Sequence, residues 1–194
     1  ELPLSLIPHR VTRALWLARW HIWWGKEDRA LKAVEAALTE HPDEPWLMAY
    51  RAHLLAELQR PQAALQVLNR LVEVAPGHAA HWFNRGFLQE QRDMLDAAEA
   101  SFRKAVALDE RLDRAWYGLG LTLIRQGRLE DALVALRRNT ELQPMSPFAW
   151  YQMARIHVDR AEPGEAAKII RHLHGFEPKV AAQLERETGI RAHG

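Results

Sequence analysis

The stretch WFNRGFLQEQRDMLDAAEASFRKAVALDERLDRAWYGLGLTLIRQGRLEDALVALRRNTELQPMSPFAW (residues 82–150) decides how this chain folds. Trp82, Trp116 and Trp150 stand 34 residues apart twice over, and Gly86, Gly120 and Ala154 each follow a tryptophan by four residues. Ala98, Ala132 and Ala166 come sixteen residues after the same tryptophans. A fixed period of this length belongs to repeat arrays, in which each unit buries its apolar face against the next. Extended outward, the frame gives five units, 11–44, 45–78, 79–112, 113–146 and 147–180, each reading as two helices and a turn. Proline cannot continue a helix and disfavours helix at the residue before it, so Pro42, Pro76, Pro144 and Pro178 close second helices, with Glu110 the exception.

The spacing predicts helices over 12–24, 27–40, 46–58, 61–74, 80–92, 95–108, 114–126, 129–142, 148–160 and 163–176. Turns within units fall at Gly25-Lys26-Glu27-Asp28, Arg60-Pro61, Arg92-Asp93, Gln126-Gly127-Arg128 and Glu162-Pro163-Gly164. At the eighth position of the units stand Ala18, Ala52, Gly86, Gly120 and Ala154; at the twentieth, Ala30, Ala64, Ala98, Ala132 and Ala166. These two sets are expected to face each other, since only tiny side chains let two helix backbones approach closely. Glycine inside a helix costs roughly 1 kcal/mol relative to alanine, so close packing must outweigh that cost at Gly86 and Gly120. Val34, Leu68, Phe102, Leu136 and Ile170 supply the apolar fill.

The 194 residues, 48% hydrophobic, suffice for a sizeable core. Twenty-six Lys and Arg against twenty-five Asp and Glu leave a net charge of +1, with no basic segment to mark a nucleic-acid binder. The absence of cysteine removes disulfides, a thiolate zinc site and a thiol nucleophile together. No apolar run reaches transmembrane length, and a cytoplasmic location is expected. The chain starts at Glu1 without a methionine, which suits a piece of a longer protein.

Trp82, Gly86, Ala98, Phe102 and Ala105, and again Trp116, Gly120, Ala132 and Pro144, resemble the tetratricopeptide repeat signature; GRLEDAL (127–133) resembles that family's turn into the second helix. The resemblance covers 11–180 and is weakest in the first two units, where Ala14 and Met48 replace the tryptophan. Asn139 departs from the small residue expected at its position, and an amide there should bond to backbone or water near an edge. The resemblance implies an all-α, right-handed α-solenoid of five helix-turn-helix repeats plus a C-terminal capping helix. VAAQLERETGI (180–190), within a cap and tail spanning 181–194, would supply that helix, and residues 1–10 form a leader.

The resemblance also implies a concave face, lined by first helices, that holds a peptide or partner protein. At its fifth and ninth positions stand Leu15, Ala49, Phe83, Tyr117, Tyr151 and Arg19, His53, Phe87, Leu121, Arg155. The Lys, Asn and Arg clamp that other members use for an acidic C-terminus is absent. Phe83, Phe87, Tyr117, Leu121 and Tyr151 make an aromatic centre instead, suited to a segment with large apolar side chains. Arg114, Arg125, Arg155 and Arg19 would favour acidic flanking residues and steer association. The expected function is therefore a non-catalytic interaction scaffold; the alternatives are a chaperone-like module for hydrophobic segments, or the recognition part of a larger enzyme.

Trp16, Trp20, Trp23 and Trp24 share one helical face. That stripe can cover the next helix pair, support self-association as the leader also could, or meet a membrane interface. No cofactor, metal or catalytic motif is expected: His78 with His81, and His172 with His174, lack neighbouring carboxylates in ligand spacing.

Overall fold

The computed structural model of the chain describes residues 27–192. The expected leader, the helix over 12–24 with its four tryptophans, and Leu15, Ala18, Arg19 and Gly25 lie outside the described residues. Those that are described form ten helices: α1 (Glu27–Glu40), α2 (Pro45–Glu57), α3 (Pro61–Val74), α4 (Ala79–Gln91), α5 (Leu95–Leu108), α6 (Asp113–Arg125), α7 (Leu129–Leu142), α8 (Pro147–Asp159), α9 (Pro163–His174) and α10 (Pro178–Thr188). Proline opens α2, α3, α8, α9 and α10, where its missing N–H leaves no ladder bond unmade. α9 stops at His174, two residues before the predicted end, because the chain turns at Gly175 and the Glu177 N–H returns to the Leu173 carbonyl (2.7 Å).

The chain forms two compact units that divide between Arg92 and Asp93. In the first, α1, α2, α3 and α4 each pack on the next; in the second, α5 to α10 do likewise, and α10 also reaches back to α8. The twentieth-position alanines, Ala30, Ala64, Ala98, Ala132 and Ala166, are all completely buried, as the close-packing argument requires. A Cβ added at Gly120 would lie 2.7 Å from the Leu136 side chain, itself fully buried, with the Ala132 carbonyl 3.7 Å away. Gly120 thus makes room chiefly for the leucine four residues beyond the alanine. Gly118, which the period does not single out, performs the same service for Phe102, whose ring would meet its Cβ at 2.6 Å.

The tryptophan period has a mechanical basis. The indole N–H of Trp82 donates to the Pro76 carbonyl (2.8 Å), that of Trp116 to the Glu110 carbonyl (2.9 Å) and that of Trp150 to the Pro144 carbonyl (3.0 Å). Each tryptophan pins the turn six residues before it. The acceptor is main chain, which is why Glu110 can interrupt the proline series without losing the bond. A second period appears only in the backbone. Gln59, Asp93, Gly127 and Ala161, spaced by 34, all adopt positive φ, between 56° and 74°. This left-handed residue lets the next N–H close the helix end: Arg60 bonds to Leu55 O, Arg128 to Leu123 O and Glu162 to His157 O. Only Gly127 occupies that conformation without strain.

Asn139 is buried rather than at an edge, and its amide donates to the Asp113 carbonyl at the start of α6 (2.8 Å). The amide therefore ties two helices of one hairpin together by a main-chain partner.

Candidate functional site

In the second unit, α6, α8 and α10 enclose a cleft of about 340 Å³ lined by Tyr117, Phe148, Tyr151, Gln152, Val180 and Gln183, with Pro147 at its edge. Tyr117 stands on the second turn of α6. Phe148 and Tyr151 share a face of α8 by i, i+3 spacing, and Val180 and Gln183 do so on α10. The rings of Tyr117 and Phe148 are 6.5 Å apart at 60°. Phe148 is 66% exposed, an unusual position for a phenylalanine with nothing else covering it. Burial pushes the Tyr117 phenol above its ordinary pKa, with the Gln152 hydrogen bond opposing.

One end of the cleft is polar. The Tyr151 hydroxyl donates to Glu187 on α10 (2.6 Å), Gln183 donates to the other Glu187 oxygen (2.7 Å), and Arg155 reaches both Tyr151 and Glu187 at 3.3 Å. The Tyr151 and then the Gln183 hydrogen bonds hold the Glu187 carboxyl below the usual glutamate range. The Arg155 guanidinium is raised, first by its bond to Tyr151.

Tyr117 and Tyr151 are thus brought together, with Leu121 half-buried one turn along α6. Arg125 is ion-paired with Asp93 (2.6 Å) and Arg155 with Glu187 (3.3 Å), so two of the four predicted steering charges already face carboxylates of this chain. Arg114 is exposed at the start of α6. In the first unit, Phe83 and Phe87 stack at 6.3 Å and 24° on α4, Phe87 being 47% exposed. His53 is exposed on α2, its ring 6.3 Å from that of Tyr50. Arg19 lies outside the described residues. Phe148, not among the residues expected from sequence, holds the second position of its unit, the place that Arg114 holds in the unit before it. Val180 and Gln183 stand on the capping helix, beyond the first-helix positions that mark a concave face.

Two sequence models, each of the tetratricopeptide repeat, match residues 25–84 and 88–147. The chain belongs to the tetratricopeptide repeat family. Among relatives of this repeat protein, the anaphase-promoting complex subunit 3 of Schizosaccharomyces pombe is 26% identical over 107 residues, 55% of this chain and 16% of that protein. The chain spans about a sixth of that relative's length. The crystal structure of MamA superposes with a TM-score of 0.79 at 19% identity, over 97% of this chain and 98% of that one. YrrB, described as a TPR protein with an unusual peptide-binding site, gives 0.70 at 20% identity over 84% and 87%. At these identities the likeness is one of fold: an all-α solenoid of helix-turn-helix repeats with a C-terminal capping helix. No described helix is long and apolar enough to cross a membrane.

Proposed function

We propose that this chain is a non-catalytic protein-interaction scaffold that grips an apolar, aromatic-bearing segment of a partner protein. The segment would lie in the cleft between α6, α8 and α10. The observation that carries the reading is Phe148, two-thirds exposed and set against Tyr117 over a mainly aromatic and apolar lining whose one charged pair, Arg155 and Glu187, lies at its end. Exposed aromatics that converge on one cleft are the usual anchors of an interface. Tyr151, its hydroxyl fixed by Glu187, presents a rigid ring, and Leu121 extends the apolar floor. Gln152 and Gln183 offer both donors and acceptors to the main chain of an extended segment. Phe83 and Phe87 give the first unit its own aromatic pair, and Arg114, Arg125, Arg155, Arg19 and His53 would act on flanking charge. YrrB's peptide-binding description and the complex-subunit description of the yeast relative support the same class of role.

Peptides selected from a displayed random library on the wild-type chain alone, then measured on Phe148→Glu, test this directly. Synthetic winners should carry large apolar or aromatic residues and bind folded Phe148→Glu at least about tenfold more weakly, roughly 1.4 kcal/mol. Winners that bind both proteins equally would refute the reading.

A further inference from the structure

The three tryptophans of the period share an anchor on the preceding turn. Trp82 adds an arginine three residues on, where Trp116 and Trp150 have Leu119 and Met153, and one earlier repeat keeps the turn and that arginine without its tryptophan. At Trp82 the indole N–H donates to the Pro76 carbonyl, and the Arg85 guanidinium lies 4.4 Å from the ring centroid. Thirty-four residues earlier, Pro42 stands for Pro76, Arg51 for Arg85 and Met48 for Trp82. The turn and the cation are retained while a slimmer thioether replaces the indole. The result is a cleft of about 370 Å³ in the first unit, lined among others by Leu38, Pro42, Met48, Arg51, Val67 and Arg70. An enclosed cavity of about 150 Å³ accepts a benzene ring; this cleft is open to solvent and exceeds that volume.

Its chemistry is selective. Met48 and Val67 are buried and provide an apolar floor. Arg51 is held by Glu35 (3.1 Å), and Arg70 by Asp43 (3.2 Å) and Glu73 (3.1 Å). A guanidinium whose in-plane donors are spent on carboxylates still offers its face to a ring, and tryptophan is the ring that a cation attracts most strongly. The three carboxylates repel an acidic side chain. Phenylalanine would bring the ring but no donor for the Pro42 carbonyl; an indole brings flat apolar bulk, a π face and an N–H.

We propose that the Pro42–Met48–Arg51 cleft is a docking seat for a tryptophan side chain of a partner protein, a second site sharing no residue with the cleft around Tyr117. The probe is N-acetyl-tryptophanamide, titrated into the full chain carrying ¹³C-methyl methionine. The chain has four methionines, so Met94, Met145 and Met153 serve as internal controls for Met48. The expected result is a saturable shift of the Met48 methyl alone, with no response to N-acetyl-leucinamide. Met48→Trp should raise the melting temperature and abolish probe binding, read from the Val67 methyls. Arg51→Gln should weaken the probe whether or not Met48→Trp folds. A Met48 resonance indifferent to the probe, or a folded Met48→Trp that binds it as the wild type does, would overturn the proposal. So would a Met48 signal that ignores the probe but moves when Trp16, Trp20, Trp23 and Trp24 become phenylalanine, since the chain's own tryptophans would then hold the seat.

Discussion

Trp116 and Ala161 show how single residues carry the repeat. Trp116→Phe keeps the ring but removes the donor to the Glu110 carbonyl, and should destabilise the chain by about 1 kcal/mol in urea unfolding. Glu110→Ala leaves that carbonyl in place and should be nearly neutral. Ala161 sits at φ 56°, a conformation that costs a non-glycine residue roughly 1–2 kcal/mol. Part of any gain from glycine is offset by the freedom it adds to the unfolded chain, so Ala161→Gly should stabilise by about 0.5–1 kcal/mol. Gly120→Ala should have the opposite sign despite alanine's better helix propensity. Its Cβ meets a buried Leu136 with nowhere to move, and overpacking of this kind costs typically 1–3 kcal/mol.

At the level of elements, α10 depends on one carboxylate. Glu187 accepts from Tyr151, Gln183 and Arg155, and its pKa is lowered in the folded chain, with Tyr151 the leading cause. A carboxyl depressed on folding contributes stability above its unfolded value, near 4.3. That contribution is lost as pH falls through the lower folded value. The docking of α10 should therefore loosen in acid below about pH 4. Glu187→Gln should flatten that part of the pH dependence, measured as amide exchange of α10 against α7. An unchanged profile would assign acid lability to Glu99, Glu162 or Glu165, which are also held low by their partners. The helices themselves were legible beforehand. α1, α3, α5 and α7 occupy the predicted spans, and α2, α4, α6 and α8 begin one residue early, because proline punctuation and apolar spacing are local signals.

For the molecule as a whole, a net charge of +1 and an aromatic cleft whose one charged pair is matched within the chain predict binding that tolerates salt. Affinity for a library-selected peptide should change less than about threefold between low and high ionic strength, since contacts without charge are not screened. A steep fall would instead place the binding energy on Arg114, Arg125 and Arg155. The sequence alone determined the all-helical repeat, its period, the buried alanines and the half-buried tryptophans, because each repeat must cover its neighbour in the same way and that demand is written at a fixed interval. Tertiary structure alone decided which aromatics remain uncovered, that Val180 and Gln183 wall the cleft, that Asp93 and Glu187 engage the arginines, and that a second cleft opens beside Met48. These depend on side chains about thirty residues apart meeting across helices, and on a terminal helix outside the repeat, where no interval in the sequence marks which partner each will find.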